Sequence, residues 1–351
     1  MSQSPRRRLI AVMAAALLVA LAACGAPAEH RFRAAATSTS ATPTPTPEPE
    51  PVFWPLTGQQ AEPLVPRPAL AVKIENSVDA RPQTGLNAAD MVWEEVVEGG
   101  ITRFVAVYHS TLPPEIGPIR SVRPMDPDIA APLHGLFAFS GGQQPFVDAI
   151  AGAGLQVLSH DRGAAGFYRT DSRRAPHNIY AGPQRFLDQA DAGHRAGPPP
   201  QFAVAGPQEQ PTALTTGAPA AALRLGLTGQ SHPQWTWSEP DGAWLRAEGS
   251  VPAVEADGTR LRATNVVVLR VDVVGTSFVD VNGTAVPKTV LVGSGQALVA
   301  TAGRTLAATW SKASAAEPVV LTGPDGMPVR LAAGTTWVEL VPNGTGSVAT
   351  G

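Results

Sequence analysis

Cysteine is nearly absent from this chain, whose 351 residues contain a single one, Cys24. One thiol cannot form a disulfide within the chain, so the sequence excludes a fold held together by disulfide bonds. The 328 residues that follow position 23 are enough for one large or two ordinary apolar cores. The folded part therefore does not depend on such a cross-link.

Long apolar runs are also absent beyond the first 23 residues. The longest later runs, such as 266–269, have the length of a β-strand, whereas a membrane span needs about 20 residues. The sequence likewise lacks a Walker motif, a dinucleotide-binding motif, a nucleophile elbow and a cluster of metal ligands. We therefore predict no later transmembrane segment, no metal and no cofactor.

Acidic residues outnumber basic residues in this chain, both with and without its first 23 residues. The 26 lysines and arginines face 29 acidic residues, for a formal net charge of −3. Loss of residues 1–23, which carry Arg6–Arg8 and no acidic residue, would change this charge to −6. An acidic chain is a poor ligand for phosphate backbones, so we predict no nucleic-acid partner.

The N-terminus has the pattern of a signal peptide over residues 1–23. Arg6–Arg8 precede an apolar stretch, Leu9–Ala22, and small residues lead directly into Cys24. This pattern resembles the signal of bacterial lipoproteins, which implies lipidation of Cys24 and anchoring to the cell membrane on its extracytoplasmic side. The alternative is an ordinary secreted protein in which Cys24 stands at this position by chance.

Residues 24–51 lack hydrophobic periodicity and form the predicted tether. Proline occupies every second position from Pro43 to Pro51, which favours polyproline II. At about 3.1 Å per residue, 37–51 would reach about 45 Å. We expect a semi-rigid spacer between the lipid anchor and the folded part.

The first predicted folded part spans residues 52–195 and contains a β-hairpin. The β-prone runs 91–98 and 101–108 flank Gly99-Gly100, which predicts a two-residue turn. In that register Arg103 lies opposite Val96 and shares a face with Glu94 and Glu98. Such a group is either part of a site or a surface ion cluster.

Three loops of this part carry the other candidate site residues. Arg120 and Arg123 stand in a proline-bounded loop and are suited to bidentate binding of carboxylate or phosphate. Asp126, just after them, is interpreted as the N-cap of a following helix. His177, beside Asn178, is the obvious general base of the region, although both side chains could serve only to hold their loop.

Ser140-Gly141-Gly142 links a predicted strand, 136–140, to a short helix, 145–151, and the strand 155–159 follows. A strand–helix–strand unit predicts parallel pairing, which places this loop where α/β sheets bind ligands. Ser140 is thus a candidate nucleophile, and the two glycines are candidates for ligand binding. The alternative is that the glycines serve the turn alone.

Several of these segments together resemble the YerB-like bacterial lipoprotein family (DUF3048), whose function is unknown. The resemblance rests on the segments 67–76, 80–86, 94–104, 117–124, 140–142 and 174–178, and in the second part on 264–268, 293–295 and 334–342. It implies a two-part α+β fold, a layered ββα sandwich, and brings no catalytic residues. Family members often carry histidine and aspartate where this chain has Ala253 and Glu255, so the resemblance implies no metal or catalytic role for that pair here.

The second predicted folded part spans residues 219–345, after a proline-rich connector at 196–218. Its pattern is nearly all strand, including a hairpin around Pro240-Asp241-Gly242 and a long β-branched run from Asn265 to Val274. Trp235, Trp237, Trp244 and Trp310 lie in these strands. Stacked indoles can bind sugars, but tryptophans at alternate strand positions are more often core residues.

We therefore predict an α+β protein with a mixed α/β first part and a mostly β second part. The first functional hypothesis is a lipoprotein that binds an anionic or saccharide component of the envelope, or an envelope protein. The second is a hydrolase or transferase acting on a cell-envelope polymer, with His177 or a carboxylate such as Glu94 as base, Ser140 as nucleophile, and Arg120 and Arg123 binding the anionic group. Arg103 is a further candidate for ligand binding. The third is a structural partner of a cell-wall assembly complex.

Overall fold

The computed structural model describes residues 51–351, which belong to one compact unit. The predicted signal peptide, Cys24 and almost all of the predicted tether lie outside the described residues. Within the described part, no helix has both the length and the apolar character needed to cross a membrane.

The first half consists of short strands and short helices. Its strands are β1 (Val52–Phe53), β2 (Gln60–Ala61), β3 (Leu70–Glu75), β4 (Met91–Val96), β5 (Thr102–Tyr108), β6 (Leu136–Phe139), β7 (Gln156–Ser159), β8 (Phe167–Arg169) and β9 (Ile179–Ala181). Its α-helices are α1 (Asp126–Ala130), α2 (Gln144–Gly152) and α3 (Pro183–Leu187), with 3₁₀ turns at Val78–Ala80, Leu86–Ala88, Glu98–Gly100, Ala131–Leu133 and His160–Arg162.

The second half is almost entirely strand. It begins with α4 (Thr212–Thr216). Its strands are β10 (Ala218–Pro219), β11 (Ala222–Gly226), β12 (Pro233–Ser238), β13 (Ala243–Glu248), β14 (Val251–Pro252), β15 (Arg262–Ala263), β16 (Asn265–Val279), β17 (Ala285–Val290), β18 (Gly293–Thr301), β19 (Arg304–Lys312), β20 (Val320–Thr322), β21 (Thr336–Pro342) and β22 (Ser347–Thr350).

One large sheet joins strands from both halves. Its 12 strands follow the order β10–β19–β18–β16–β21–β4–β5–β3–β6–β7, with β17 added to β16 and β20 to β19. β21 runs parallel to both β16 and β4, so it connects the two halves of the chain. A second sheet of six strands has the order β14–β13–β12–β11–β22, with β15 added to β13. The protein is thus mostly β, with a mixed sheet and few helices, while the layered ββα arrangement stays a prediction.

Apolar cores cover both faces of the large sheet where β3, β4 and β5 pair. Every residue of these three strands is buried. Side chains alternate along each strand, so Trp93 and Val105 lie in one core, and Val92 and Ala106 lie in the other. Any charged residue in these strands is therefore buried and needs a partner.

The tryptophans of the second half belong mainly to the core. Trp235, Trp244 and Trp310 are buried, whereas Trp237 is half-buried. The Trp235 and Trp337 rings meet edge to face, with centroids 5.1 Å apart. The prediction that these tryptophans are core residues is confirmed for the three that are buried.

The predicted strand–helix–strand unit is also confirmed, since β6 and β7 pair in parallel and α2 connects them. The hairpin β4–β5 forms as well, but its predicted register is wrong. Arg103 lies opposite Glu95 and not opposite Val96. The turn contains three residues, Glu98–Gly100, and closes with a hydrogen bond from Val97 N to Ile101 O at 3.0 Å.

This shift by one residue moves half of the hairpin's side chains to the other face of the sheet. Arg103 therefore shares a face with Glu95 and Trp93, whereas Glu94 shares the opposite face with Phe104. Both faces of the hairpin are buried.

Candidate functional site

The central strands place five charged side chains in buried positions, namely Lys73, Glu75, Glu94, Glu95 and Arg103. Burying a charge without a partner is costly, so their partners define the polar clusters of the protein. Strand register puts Glu94 on one face of the sheet and the other four on the opposite face. Three clusters form on that opposite face and one forms around Glu94.

The Glu75 cluster consists of Glu75, Ser77, Arg120 and His177. Glu75 Oε2 lies 2.9 Å from His177 Nδ1 and 3.2 Å from Arg120 Nε, and Ser77 Oγ donates to Oε1 at 2.9 Å. Glu75 is buried, whereas the side chains of His177 and Arg120 are 21% and 23% exposed. Two predicted site residues thus meet at a carboxylate that the sequence pattern did not single out.

His177 is positioned by this contact as a base. A carboxylate accepts hydrogen bonds, so the hydrogen of the neutral ring is assigned to Nδ1, which leaves Nε2 as the basic nitrogen. Nε2 has no hydrogen-bond partner among residues 51–351. The pair can accept a proton from a bound molecule, with Glu75 stabilising the positive charge that develops on the ring.

The backbone of Ser140 contacts the backbone of Arg120, which belongs to the Glu75 cluster. Its N–H donates to Arg120 O at 3.0 Å, and Val122 N donates to Gly141 O at 3.1 Å. In the described part of the chain no hydrogen bond joins the Ser140 side chain to His177, and Ser140 itself is 7% exposed. The structure does not assemble a serine–histidine pair here.

Gly141 and Gly142 have a clear structural role in their turn. Gly141 has φ +89°, and a Cβ there would lie 2.5 Å from Ser121 Oγ. Gly142 has φ +149°, and a Cβ there would lie 3.3 Å from Val147 Cγ2. Both positions therefore need glycine for the backbone itself. Their role as ligand-binding residues stays a prediction.

Asn178 acts within its own hairpin. Its Oδ1 accepts from Arg169 Nη1 at 2.7 Å, and its Nδ2 donates to Thr170 O at 3.3 Å. These bonds span the loop between β8 and β9. Contact between Asn178 and a ligand stays a prediction.

The Glu98 cluster consists of Glu98, Arg103 and Arg123. Arg123 Nε donates to Glu98 Oε2 at 2.6 Å, its Nη2 contacts Oε1, and Arg103 Nη2 lies 3.2 Å from Oε1. Burial by itself would raise the pKa of Glu98, but the hydrogen bonds from Arg123 and the charge of Arg103 lower it to about 2. Both predicted arginines are thus already paired with a carboxylate, which leaves them less available to an anionic ligand.

The Lys73 cluster consists of Lys73, Glu95 and Asp126, all fully buried. Lys73 Nζ contacts Glu95 Oε1 and donates to Asp126 Oδ1 at 2.7 Å. The predicted N-cap role of Asp126 is wrong, because Met125 is the N-cap residue. One oxygen of the Asp126 carboxylate accepts a hydrogen bond from Arg123 N at 2.6 Å, and the other pairs with the buried Lys73.

The Arg246 cluster lies on the opposite face and contains Glu94, Arg246, Glu248 and Glu339. Arg246 Nη2 donates to Glu94 Oε2 at 2.6 Å, and its Nη1 contacts Glu248 Oε1. The guanidinium also packs over three aromatic rings, 5.3 Å from Phe104, 5.9 Å from Trp235 and 5.2 Å from Trp337. Glu94, predicted with the other candidates, is thus separated from them by the sheet.

Glu339 lies beside Glu94 across the β21–β4 pair. Burial raises the pKa of Glu339 well above its ordinary value, and the neighbouring Glu94 carboxylate adds to this rise. Trp235 Nε1 donates to Glu339 Oε1 at 2.8 Å. Glu94 pairs with Arg246, whereas burial beside Glu94 favours the protonated form of Glu339.

A pocket of about 420 Å³ opens over the Arg246 cluster and takes its walls from both halves of the chain. Its polar residues include Asn76, Arg81, Arg246 and Glu248, and its apolar wall includes 251–254. Arg81 lies 3.3 Å from Glu248 Oε1 and donates to Asn76 Oδ1 at 3.0 Å through Nε. The Arg81 side chain is 29% exposed.

Sequence reasoning missed this pocket because no local motif contains its polar groups. Asn76 and Arg81 lie near one another, but Arg246 and Glu248 come more than 160 positions later. The available signal was Arg246 among the apolar residues Trp244, Leu245 and Ala247 of β13, since a buried arginine implies a buried carboxylate.

The pair Ala253 and Glu255 lies beside this pocket, and Ala253 lines it. Glu255 Oε1 accepts from Asn87 N at 2.7 Å, which ties the second half to the first. Across residues 51–351 there is no group of three or more histidine, cysteine or acidic side chains arranged to hold a metal ion.

Comparison with known proteins places the chain in a family. Residues 56–196 match the model of the N-terminal domain of a protein of unknown function, DUF3048, and residues 223–338 match that of its C-terminal domain. A relative from Bacillus subtilis strain 168, described as "Putative lipoprotein YerB", is 36% identical over 130 residues, which cover 36% of this chain and 39% of that protein. That sequence match thus spans well under half of the curated relative.

A solved structure gives a longer match. The crystal structure of the YerB protein from Bacillus subtilis aligns with a TM-score of 0.70 over 85% of this chain and 99% of that one, at 22% identity. This likeness shows a common fold, while the two family models match both halves of the sequence. The chain belongs to the DUF3048 family, as its sequence segments predicted.

Proposed function

We propose that this protein is a membrane-anchored, extracytoplasmic lipoprotein that binds an anionic component of the cell envelope in the pocket over Arg246. The anchoring is supported by the leader that ends at Cys24 and by the name of the similar Bacillus subtilis protein, which calls it a lipoprotein. A lipid anchor and a tether keep the pocket close to the envelope, where ligands of that origin are concentrated.

The observation that carries the binding role is the state of the two arginines in the pocket. Arg246 is fully buried, and each of its two terminal nitrogens contacts a carboxylate of the protein. Its charge is therefore neutralised by Glu94 and Glu248 and is not available to a ligand. Arg81 is partly exposed, and within the described residues its Nη1 has no hydrogen-bond partner. Arg81 is therefore the group that can bind an incoming carboxylate or phosphate.

The rest of the pocket suits the non-ionic part of such a ligand. Residues 251–254 and Leu261 supply an apolar wall, while Asn76 and Glu248 provide polar atoms. A concave, largely apolar pocket with a few convergent polar groups is typical of small-molecule sites, and about 420 Å³ lies within their usual range of roughly 300–1,000 Å³. The ligand class is an anionic group attached to a body of moderate polarity.

A matched pair of sugars tests this proposal by calorimetric titration of the full-length protein in detergent. N-acetylmuramic acid carries a carboxylate on a lactyl ether that N-acetylglucosamine lacks. We expect the acid to bind at least about tenfold more tightly, which corresponds to about 1.4 kcal/mol. Arg81→Ala should abolish that difference, whereas Arg330→Ala, at an exposed arginine that pairs with Glu209 outside the pocket, should preserve it.

Glycerol 3-phosphate serves as a second anion, with phosphate in place of carboxylate. Equal binding of the two sugars, or a preference for the acid that survives Arg81→Ala, would contradict the assignment of Arg81. Absence of binding by both anions would contradict an anionic ligand in this pocket.

A second candidate function is acid–base catalysis on an envelope polymer at the Glu75 cluster. The contact between Glu75 Oε2 and His177 Nδ1 favours it, because a carboxylate-oriented histidine with a free Nε2 is a common general base. Arg120 stands beside the pair and would bind an anionic group of the substrate.

A further inference from the structure

The Lys73 cluster has no part in the pocket, and its composition is unusual for a protein core. Lys73, Glu95 and Asp126 are all fully buried. In the strand register Lys73 lies opposite Val105, which lies opposite Trp93, so the lysine stands in an apolar row of the sheet. One lysine thus meets two carboxyl groups where water is excluded and where charged forms are costly.

The three side chains are placed for a reaction between amine and carboxyl. Lys73 Nζ lies 2.7 Å from Asp126 Oδ1 and contacts Glu95 Oε1. The second oxygen of Asp126 accepts a hydrogen bond from Arg123 N at 2.6 Å. A backbone N–H at this position stabilises negative charge that develops on the carboxyl oxygen during nucleophilic attack.

Glu95 has the properties of a proton carrier. Its Oε2 is buried and has no hydrogen-bond partner among the described residues. Burial raises the pKa of Glu95 to about 8, with a further contribution from the Asp126 carboxylate and opposition from Lys73. A carboxyl group that holds its proton near neutral pH can both give and receive one.

We propose that Lys73 and Asp126 become joined by an intramolecular amide bond, with Glu95 transferring the protons. Glu95 gives its proton to Asp126 Oδ1 and takes one from the Lys73 ammonium, and the neutral Nζ then attacks Asp126 Cγ. A second proton then passes from Nζ through Glu95 to the same oxygen. The Cγ–Oδ1 bond breaks and one water molecule leaves.

The balance of this step needs no other reactant. Of the three ammonium protons, two leave in the water and one stays on the amide nitrogen, while the charges of Lys73 and Asp126 cancel. Asp126 is the acceptor because the Arg123 N–H stabilises its second oxygen, whereas Glu95 Oε2 has no such donor. The bond replaces two buried charges by one neutral amide, which removes their desolvation cost.

Such a bond would tie β3 to the start of α1 and close a loop from residue 73 to residue 126. Like a disulfide, it would restrict the unfolded chain. The described residues contain no cysteine, so a disulfide is not open to this part of the chain.

Peptide mapping of the full-length protein, purified from membranes in detergent and digested after denaturation, tests the proposal. We expect one linked pair of peptides that contains Lys73 and Asp126 and is lighter by one water than the two peptides together. Recovery of both residues in separate, unmodified peptides would overturn the proposal. A link from Lys73 to Glu95 would also overturn it.

Two glutamine variants test the part assigned to Glu95. Glu95→Gln keeps the size of the side chain but removes its acidic proton, so the linked peptide should disappear. Glu98→Gln alters the neighbouring carboxylate, which contacts Arg103 and Arg123 and not Lys73, so the link should remain. A link that persists in Glu95→Gln would overturn the role of Glu95, and the wild-type map decides the bond itself even if a variant fails to fold.

Discussion

Glu75 Oε2 lies 2.9 Å from His177 Nδ1, although 102 positions separate the two residues in the sequence. The contact joins the end of β3 to the loop before β9, and Arg120 reaches the same oxygen at 3.2 Å. The pocket over Arg246 lies on the other side of the sheet, so the two candidate sites can be tested separately.

The first prediction concerns His177. If the Glu75 cluster carries catalysis, His177→Ala should lower the release of labelled fragments from purified cell-wall polymer by about 10²- to 10⁴-fold, because the general base is lost. Glu75→Gln should cause a similar loss, since it removes the charge that stabilises the protonated ring. The measurement is a time course of soluble label with the full-length protein.

The same variant provides the control for the binding pocket. His177→Ala should leave the sugar preference at Arg81 unchanged, because His177 contacts Glu75, Arg81 contacts Asn76 and Glu248, and no hydrogen bond or ion pair joins the two residues in the described part of the chain. A wild-type protein that releases no label, while it still distinguishes the two sugars, would reject catalysis and leave binding as the function.

The second prediction concerns Glu98 and the stability of the folded protein as the pH falls. The pKa of Glu98 is lowered from 4.5 to about 2 in the folded protein, so the unfolded chain takes up the proton first as the pH falls. The resulting stabilisation is present above pH 4.5 and is lost as the pH falls towards 2. After allowance for solvent screening we expect it to be about 2 kcal/mol.

Urea unfolding at a series of pH values measures this contribution. Glu98→Gln should be less stable than the wild type at pH 7 and should show a flatter decline between pH 5 and pH 2. Parallel declines for the two proteins would show that another group titrates in this range.

The third prediction concerns Glu339 and the stability of the folded protein as the pH rises. Its pKa is raised by burial, so the folded protein keeps a proton that the unfolded chain releases, and stability falls as the pH rises above 4.5. Glu339→Gln mimics the protonated side chain and keeps an acceptor for Trp235 Nε1. We expect this variant to be more stable than the wild type at pH 8, with little difference at pH 4.

Glu94→Gln is the matched control, because Glu94 is the strand partner of Glu339 but carries the charge that pairs with Arg246. This variant should be destabilised at both pH values. A Glu339→Gln protein that is less stable than the wild type at pH 8 would contradict the protonated state of Glu339.

The fourth prediction compares two glycines. A Cβ at Gly135 would lie 2.2 Å from Ala69 O, a backbone atom that cannot move aside, so Gly135→Ala should destabilise the protein by about 1–3 kcal/mol. Gly152→Ala, in the last turn of α2, meets nothing within 4 Å and should be neutral or slightly stabilising. Thermal unfolding of the two variants checks the contrast, and equal melting temperatures would contradict it.

Local patterns predicted much of the secondary structure. The β-prone runs on either side of Gly99-Gly100 form β4 and β5, and the glycine loop after Ser140 connects a strand to a helix as expected. These features depend on residues a few positions apart, whose propensities and turn chemistry act locally. The register of the β4–β5 hairpin was predicted wrongly, because a Gly-Gly pair fits both a two-residue turn and the three-residue turn that forms.

The candidate site was predicted only in part. Arg120 and His177 do meet, and Arg103 does pair with Glu98, but the sequence did not indicate Glu75 as their meeting point or Arg123 as the second partner of Glu98. Ser140 was predicted as a nucleophile from its position in the turn, and the structure places its backbone, not its side chain, in contact with Arg120.

The sequence by itself determined the leader pattern that ends at Cys24, the strand-rich composition and the membership in the DUF3048 family. Each of these features depends on residues that are close together in the sequence. Only the tertiary structure decided which buried charges meet. Arg246, on β13 of the second sheet, reaches Glu94 on β4 of the large sheet across 152 positions, and Lys73 reaches Asp126 because α1 starts beside β3. A buried charge is stable only next to its partner, and strand order, which no local pattern encodes, decides which partner that is.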